Sequence, residues 1–188
     1  MIYFSSDLHF CHNKEFLYGK RGFKNIQEHN EVILNNFNNI LTWEDEFYLL
    51  GDNFLNDNEQ GFKLLKEIPV KKIYFIIGNH DTLTRIDLIS SFYRFEILGY
   101  ANILKYNKYH FYLSHYPTLI GNTDDNIKPL KSRIINLCGH THTNSPFTDF
   151  DKSLIYHTEV DAHNCFPVSI DKIIKDIREK FYVKESKK

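Results

Sequence analysis

Five short apolar runs in this chain each stop against residues able to bind a metal or a phosphate, and this constrains the fold more than any other feature. Tyr3-Phe4-Ser5-Ser6 leads into Asp7-Leu8-His9, residues 47–50 into Gly51-Asp52-Asn53, and residues 73–77 into Gly78-Asn79-His80-Asp81. Residues 111–114 lead into His115 and then Tyr116-Pro117, and residues 135–138 into Gly139-His140-Thr141-His142. In α/β sheets ligands bind at the carboxyl ends of the strands, so five such ends can converge on one pocket. Gly51, Gly78 and Gly139 would let the backbone turn sharply where a strand stops. In Asp7-Leu8-His9 and His140-Thr141-His142, alternate side chains point the same way if the backbone stays extended. Taken singly, each piece is ordinary: an Asp-x-His is commonly a cap, a His after a strand a satisfied polar residue, an Asn after Gly turn chemistry. Five in this order read as one shared site.

The segments between the motifs set the class. Residues 26–41 place Ile26, Ile33, Leu34, Phe37, Ile40 and Leu41 on one helical face. Further helices are expected near 59–66 and 86–92. Residues 73–77 are continuously apolar, as in a strand buried on both faces. Residues 101–106 and 109–114 read as strands joined by Asn107-Lys108, a hairpin without the favoured Asn-Gly pair. Strands follow at 134–138 and 154–160. Ser169 can cap a last helix carrying Ile170, Ile173, Ile174, Ile177 and Phe181, with Asp171 at the positive end of its dipole. Early strands alternating with helices and later strands pairing locally indicate α/β with at least one mixed sheet. No repeat or linker divides the chain, so residues 1–183 are expected to form one domain, with a polar tail at 184–188.

A length of 188 residues suits one domain with a real core. A net charge of −1 argues against nonspecific binding to long nucleic acid. Lys14, Lys20, Arg21 and Lys24 form a local basic cluster, read as a solvated loop, with a phosphate-attracting rim as the alternative. Cys11, Cys138 and Cys165 are odd in number and lack CxxC spacing, which points to a reducing compartment. With no leader before the first strand-like segment and no apolar stretch near 20 residues, a cytoplasmic protein is expected, without a membrane span or an evident obligate protein partner.

The series DLH, GDN, GNHD, SHYP and GHTH resembles the calcineurin-like metallophosphoesterases over Asp7 to His142. Val160-Asp161-Ala162-His163-Asn164, with Phe10 and His12, is similar to the small bacterial and phage-type branch. The resemblance implies a four-layer α-β-β-α sandwich, two mixed sheets face to face with helices outside. It also implies a ligand set: Asp7, His9, Asp52 and His142 on one metal, and Asp52, Asn79, His115 and His140 on the other, with Asp52 bridging. His80 would face the substrate beside the metals, oriented by Asp81. The chain departs from the pattern at Leu55, where many members carry a second Asp. A set of carboxylate, amide and imidazole donors suits two divalent transition-metal ions, manganese first, with iron, zinc, cobalt or nickel as alternatives. The implied reaction is attack of a hydroxide held by both metals on a phosphate ester, with a diester preferred and a nucleotide or oligonucleotide among the candidate substrates. His12 could grip a substrate phosphate, and Asp161 with His163 could steer a ligand ring or be a surface pair. Rival readings are a nuclease on short or single-stranded nucleic acid and a non-catalytic metal-binding scaffold.

Overall fold

The structure is a computed structural model that describes residues 1–118, 133–148 and 154–185. Its strands are β1 (Ile2–Ser5), β2 (Glu46–Leu50), β3 (Lys72–Ile76), β4 (Phe95–Gly99), β5 (Ala101–Tyr106), β6 (Tyr109–Ser114), β7 (Ile134–Cys138), β8 (Ile155–His157) and β9 (Val168–Ser169). Its helices are α1 (Glu15–Tyr18), α2 (Ile26–Ile40), α3 (Asn58–Lys66), α4 (Leu83–Ser90) and α5 (Ile170–Glu185). The strands form two sheets, ordered β4-β3-β2-β1-β9 and β5-β6-β7-β8. Both are mixed: β1 to β4 run parallel with β9 antiparallel, and β6 to β8 run parallel with β5 antiparallel.

Alternation along the strands sorts the core into two bodies. Phe47, Leu49, Ile73 and Phe75 face Ile33, Leu34 and Phe37 of α2 and Leu64 and Leu65 of α3. The alternate residues Tyr48, Leu50 and Ile76 face the second sheet through Phe111, Leu113, Ile135 and Leu137. The first sheet is therefore buried on both sides, as the continuous apolar run at 73–77 requires. Ile170, Ile173, Ile174 and Ile177 of α5 join the inter-sheet cluster. Each such side chain, fully buried, contributes about 1.5–3 kcal/mol. The result is an α/β fold of two mixed sheets flanked by helices.

Local chemistry sets the element ends. Asn25 and Asp57 cap α2 and α3 by accepting from the backbone amides of Glu28 and Gln60. Ser169 Oγ accepts from Lys172 N at 3.2 Å, the expected cap of α5. The hairpin between β5 and β6 holds Asn107 at φ 48° and Lys108 at φ 70°, the left-handed pair a tight antiparallel turn needs, achieved without glycine.

Several boundaries differ from expectation. Strands β4 and β9 have no counterpart in the pattern read above, α4 starts at Leu83, and the strand expected over 154–160 gives way to a 3-10 turn at Val160–His163. Lys184 and Glu185 belong to α5 rather than to a tail; residues 186–188 and the side chain of Phe181 lie outside what is described. Among the described residues no helix is long and apolar enough to cross a membrane.

Candidate metal centre

Parallel register aligns the carboxyl ends of β1, β2 and β3, pairing Ser5 with Leu49 and Leu50 with Ile76. The ladder continues past the strands: Asp7 N donates to Gly51 O and His9 N to Asp52 O, both at 3.0 Å. In the second sheet Gly139 N donates to His115 O at 2.9 Å, which sets the β6 and β7 ends side by side. Across the sheets, His140 N donates to Asp7 Oδ2 at 2.8 Å and His115 Nδ1 meets Leu50 O at 2.8 Å. All five strand ends thus meet.

The donors form two overlapping groups, Asp7 with His9 and His142, and Asp7 with Asp52 and His115. His9 Nε2 lies 3.8 Å from both Asp7 Oδ1 and Asp52 Oδ2, and His142 Nε2 lies 3.8 Å from Asp7 Oδ1. Asp52 Oδ2 is also 3.5 Å from His115 Nε2, so this carboxylate spans the two groups. Asn79 Oδ1 and His140 Nδ1 approach the same His115 nitrogen at 2.9 and 3.3 Å. The seven residues expected as ligands are brought together.

Three rings are held from behind. His115 Nδ1 faces Leu50 O, His142 Nδ1 faces Asp161 Oδ2 at 2.9 Å, and His9 Nδ1 faces His12 Nδ1 at 3.3 Å. In a neutral ring with Nδ1–H donating to these partners, Nε2 offers its lone pair inward, the tautomer a metal ligand needs. Asp7 Oδ1 and His9 Nε2 are buried and have no hydrogen-bond partner. Such orphaned groups cost about 1–3 kcal/mol each. A cation about 2.1 Å from each of two donors needs them no more than about 4.2 Å apart, a limit that 3.8 Å meets. The residues fit a metal.

The backbone here departs from the expectation of extended motifs. Asp7, His9, Asp52, His140 and His142 all adopt left-handed φ, between 49° and 74°. Each costs roughly 1–2 kcal/mol in a residue with a Cβ. Strain of this kind collects where surrounding structure over-determines it and function uses it. Of the three glycines, only Gly51 has positive φ, at 95°. Gly78 and Gly139 are small for another reason: a Cβ would lie 2.3 Å from Asp52 Oδ1 at the first and 2.2 Å from Asp7 Oδ2 at the second.

Electrostatics follow from this crowding. Burial alone would raise the Asp7 carboxyl, but the His9 ring 3.8 Å away and the charges of His115 and His142 bring it down to about 2. Burial alone would lower His115, yet the Asp52 carboxylate 3.5 Å from Nε2 and the charge of Asp7 push it up to about 9. Burial holds His9 and His140 below the usual imidazole range and takes His12, beside His9, down to about 4.

The supporting residues divide. The His80 side chain is 45% exposed, with Nε2 3.9 Å from Asp52 Oδ2. Asp81 does not reach the His80 ring: its carboxylate accepts from the amides of Gly78 at 2.8 Å, Asp52 at 3.1 Å and Asn53 at 3.5 Å. Asp161 sits behind His142, while His163 donates instead to His157 O, so the two do not act as a pair. Arg21 leaves the solvated basic cluster altogether; its side chain is 2% exposed and bridges to Asp161 at 2.7 Å. Ser114 Oγ donates to Tyr116 O at 2.7 Å and fixes the turn after His115. Cys11, Cys138 and Cys165 are free and buried, and the donor groups include none of them.

A family model, described as calcineurin-like phosphoesterase, matches residues 1–185. An uncharacterised protein of Methanocaldococcus jannaschii, MJ1445, is 32% identical over 179 residues, covering 93% of this chain and 89% of that protein. A crystal structure of a protein of unknown function from Aquifex aeolicus, AQ665, is similar with a TM-score of 0.70 and 26% identity, covering 93% of this chain and 98% of that one.

Proposed function

The chain belongs to the calcineurin-like phosphoesterase family, and on that footing we propose that it hydrolyses phosphate esters, diesters by preference, with two divalent transition-metal ions. Asp7, His9, Asp52 and His142 would hold one ion, and Asp52, Asn79, His115 and His140 the other. When bound, such a pair of ions supplies Lewis acidity, lowering the pKa of water and neutralising charge on phosphoryl oxygens. Mixed oxygen and nitrogen donors suit manganese, iron, zinc, cobalt or nickel better than calcium.

The remaining roles fall to the protein's own groups. His80 stands on the open side of the donor cluster, with its backbone N–H anchored to Asp52 Oδ1 at 2.8 Å and its carbonyl held by Arg85. As the bond from water oxygen to phosphorus forms and that water releases a proton to solvent, the bond to the alcohol breaks on the far side. On this reading the His80 ring gives that leaving oxygen a proton. Asp81 keeps the Gly78 and Asp52 amides in place, and so the two loops that carry Asp52 and His80. His80 is 45% and Tyr116 50% exposed, which supports approach of a substrate from this side.

The observation that carries this reading is the pair of buried, partnerless atoms, Asp7 Oδ1 and His9 Nε2, 3.8 Å apart. The test compares hydrolysis of bis(p-nitrophenyl) phosphate and p-nitrophenyl phosphate by manganese-loaded and chelator-stripped protein. Metal-dependent release, faster with the diester, is expected. Metal uptake without release from either ester would favour a non-catalytic scaffold.

A further inference from the structure

The Arg21 side chain carries five N–H donors in a planar fork, and the structure occupies every one. Nε donates to Asp161 Oδ1 at 3.0 Å and one terminal nitrogen to Asp161 Oδ2 at 2.7 Å, a bidentate pair. That same nitrogen donates to Asp7 O at 2.8 Å. The other meets Leu8 O at 3.3 Å and His29 Nε2 at 2.8 Å. Asp161 Oδ2, a carboxylate oxygen that can only accept, also takes the hydrogen of His142 Nδ1 at 2.9 Å, and the Arg21 nitrogen that binds it lies 3.2 Å from the same ring nitrogen. Next along the chain, Lys20 Nζ donates to His142 O at 3.1 Å. The two residues together therefore grip both arms of one donor group, the Asp7–His9 turn through its carbonyls and His142 through ring and backbone.

We infer that Arg21 and Asp161 are positioning residues for the Asp7, His9 and His142 donor group, holding His142 in its metal-binding tautomer and fixing its distance from Asp7. This rests on the metal reading above. Arg21 and Asp161 are 140 positions apart in sequence and 2% and 3% exposed. A buried ion pair is at best weak support for stability, since desolvation offsets its attraction. What this pair does that an apolar pair could not is present an acceptor to His142 Nδ1 while tying that acceptor to the carbonyls of Asp7 and Leu8. A lysine could carry the charge at position 21 but not the five directed bonds.

The experiment uses full-length, chelator-stripped protein titrated with Mn²⁺ by calorimetry and with Co²⁺ by visible absorption, in wild type, Asp161→Asn and Arg21→Lys. Asparagine keeps the shape and can still accept from Arg21, but it cannot both satisfy that fork and accept from His142. Groups behind metal-bound histidines typically change affinity by 10–100-fold when removed. The expected result is that weakening for one of two ions, a near-unchanged second ion, and an altered Co²⁺ spectrum. Thermal denaturation of the metal-free proteins confirms that each variant is folded. Should Asp161→Asn fail to fold, Arg21→Lys, which keeps the charge and loses the fork, carries the same comparison. Two-ion binding in wild type with unchanged affinities and spectra in the folded variants overturns the positioning role alone. No metal uptake by wild type overturns the metal reading beneath it.

Discussion

Gly139→Ala tests whether the centre depends on how closely the β7 turn approaches Asp7. A Cβ at this position would lie 2.2 Å from Asp7 Oδ2 and from Ser6 Oγ, and 2.7 Å from Ser6 Cβ. Ordinary contact begins at about 3.4 Å, so something must give by about 1.2 Å. Asp7 has little freedom to yield, because its backbone is tied to Gly51 O and its Oδ2 to His140 N. A displacement of about 1 Å at a reacting constellation costs about 10²-fold in rate. That corresponds to about 2.7 kcal/mol of transition-state stabilisation. Overpacking adds a further loss of about 1–3 kcal/mol in stability. The expected variant is folded, has a lowered melting temperature, retains less metal after dialysis and turns over a diester about a hundredfold more slowly. Folded protein with wild-type metal content and rate would show that the centre does not depend on the close approach of the β7 turn to Asp7.

Asp52→Asn should lose metal at both positions and with it turnover, as metal analysis beside the diester assay would show; full metal and full rate would remove Asp52 from its spanning role. His80→Ala should keep both ions and lower kcat by roughly 10²–10⁴-fold, the usual range for a lost acid or base; an unchanged kcat would leave the leaving group without this proton donor. His115, raised to about 9 by Asp52 and Asp7 against its burial, must lose a proton before Nε2 binds a cation. Apparent metal affinity should therefore climb from pH 7 and level off above about 9, with proton release visible as a buffer-dependent heat; a flat profile contradicts this. In the metal-free protein the same group contributes stability fully present below about pH 6.5 and lost as pH rises through 9. His29 behaves in the opposite sense, since burial and the Arg21 charge take it down to about 3. The unfolded chain then binds a proton the folded one refuses, so stability falls as pH drops from about 6.5 toward 3, by about 1.4 kcal/mol per unit. His29→Gln should flatten that slope in urea melts, and an identical slope would count against the assignment.

The strand ends were readable because residue types there break the apolar pattern abruptly, and the donors at Asp7, Asp52, Asn79, His115 and His140 stand immediately after the break. Less readable was how the donors are aimed. Left-handed backbone at Asp7, His9 and His142 is hard to read from the sequence: Asp and His are enriched in that conformation, yet only a minority of them adopt it. Gly78 and Gly139 announced themselves as turn residues when their actual constraint is a neighbouring carboxylate. Proximity in the chain groups Arg21 with Lys14, Lys20 and Lys24, whereas its partner lies beyond the last motif, 140 positions away. Asp161 was visible as a candidate support for a ligand ring, but its supposed partner His163 turns to His157 O. Strand β9, two residues long, carries too little pattern to be seen.

The centre draws on segments from opposite ends of the chain: His140 N meets Asp7 across 133 positions, and Arg21 meets Asp161 across 140. Contacts of such separation form late in folding, after their loop-closure cost has been met. A growing chain therefore offers a cation no finished site until residues beyond Asp161 have joined the sheets. Metal that binds only this last-formed arrangement acts on the native side of the folding barrier. It should lengthen the lifetime of the folded protein while leaving its folding rate almost untouched.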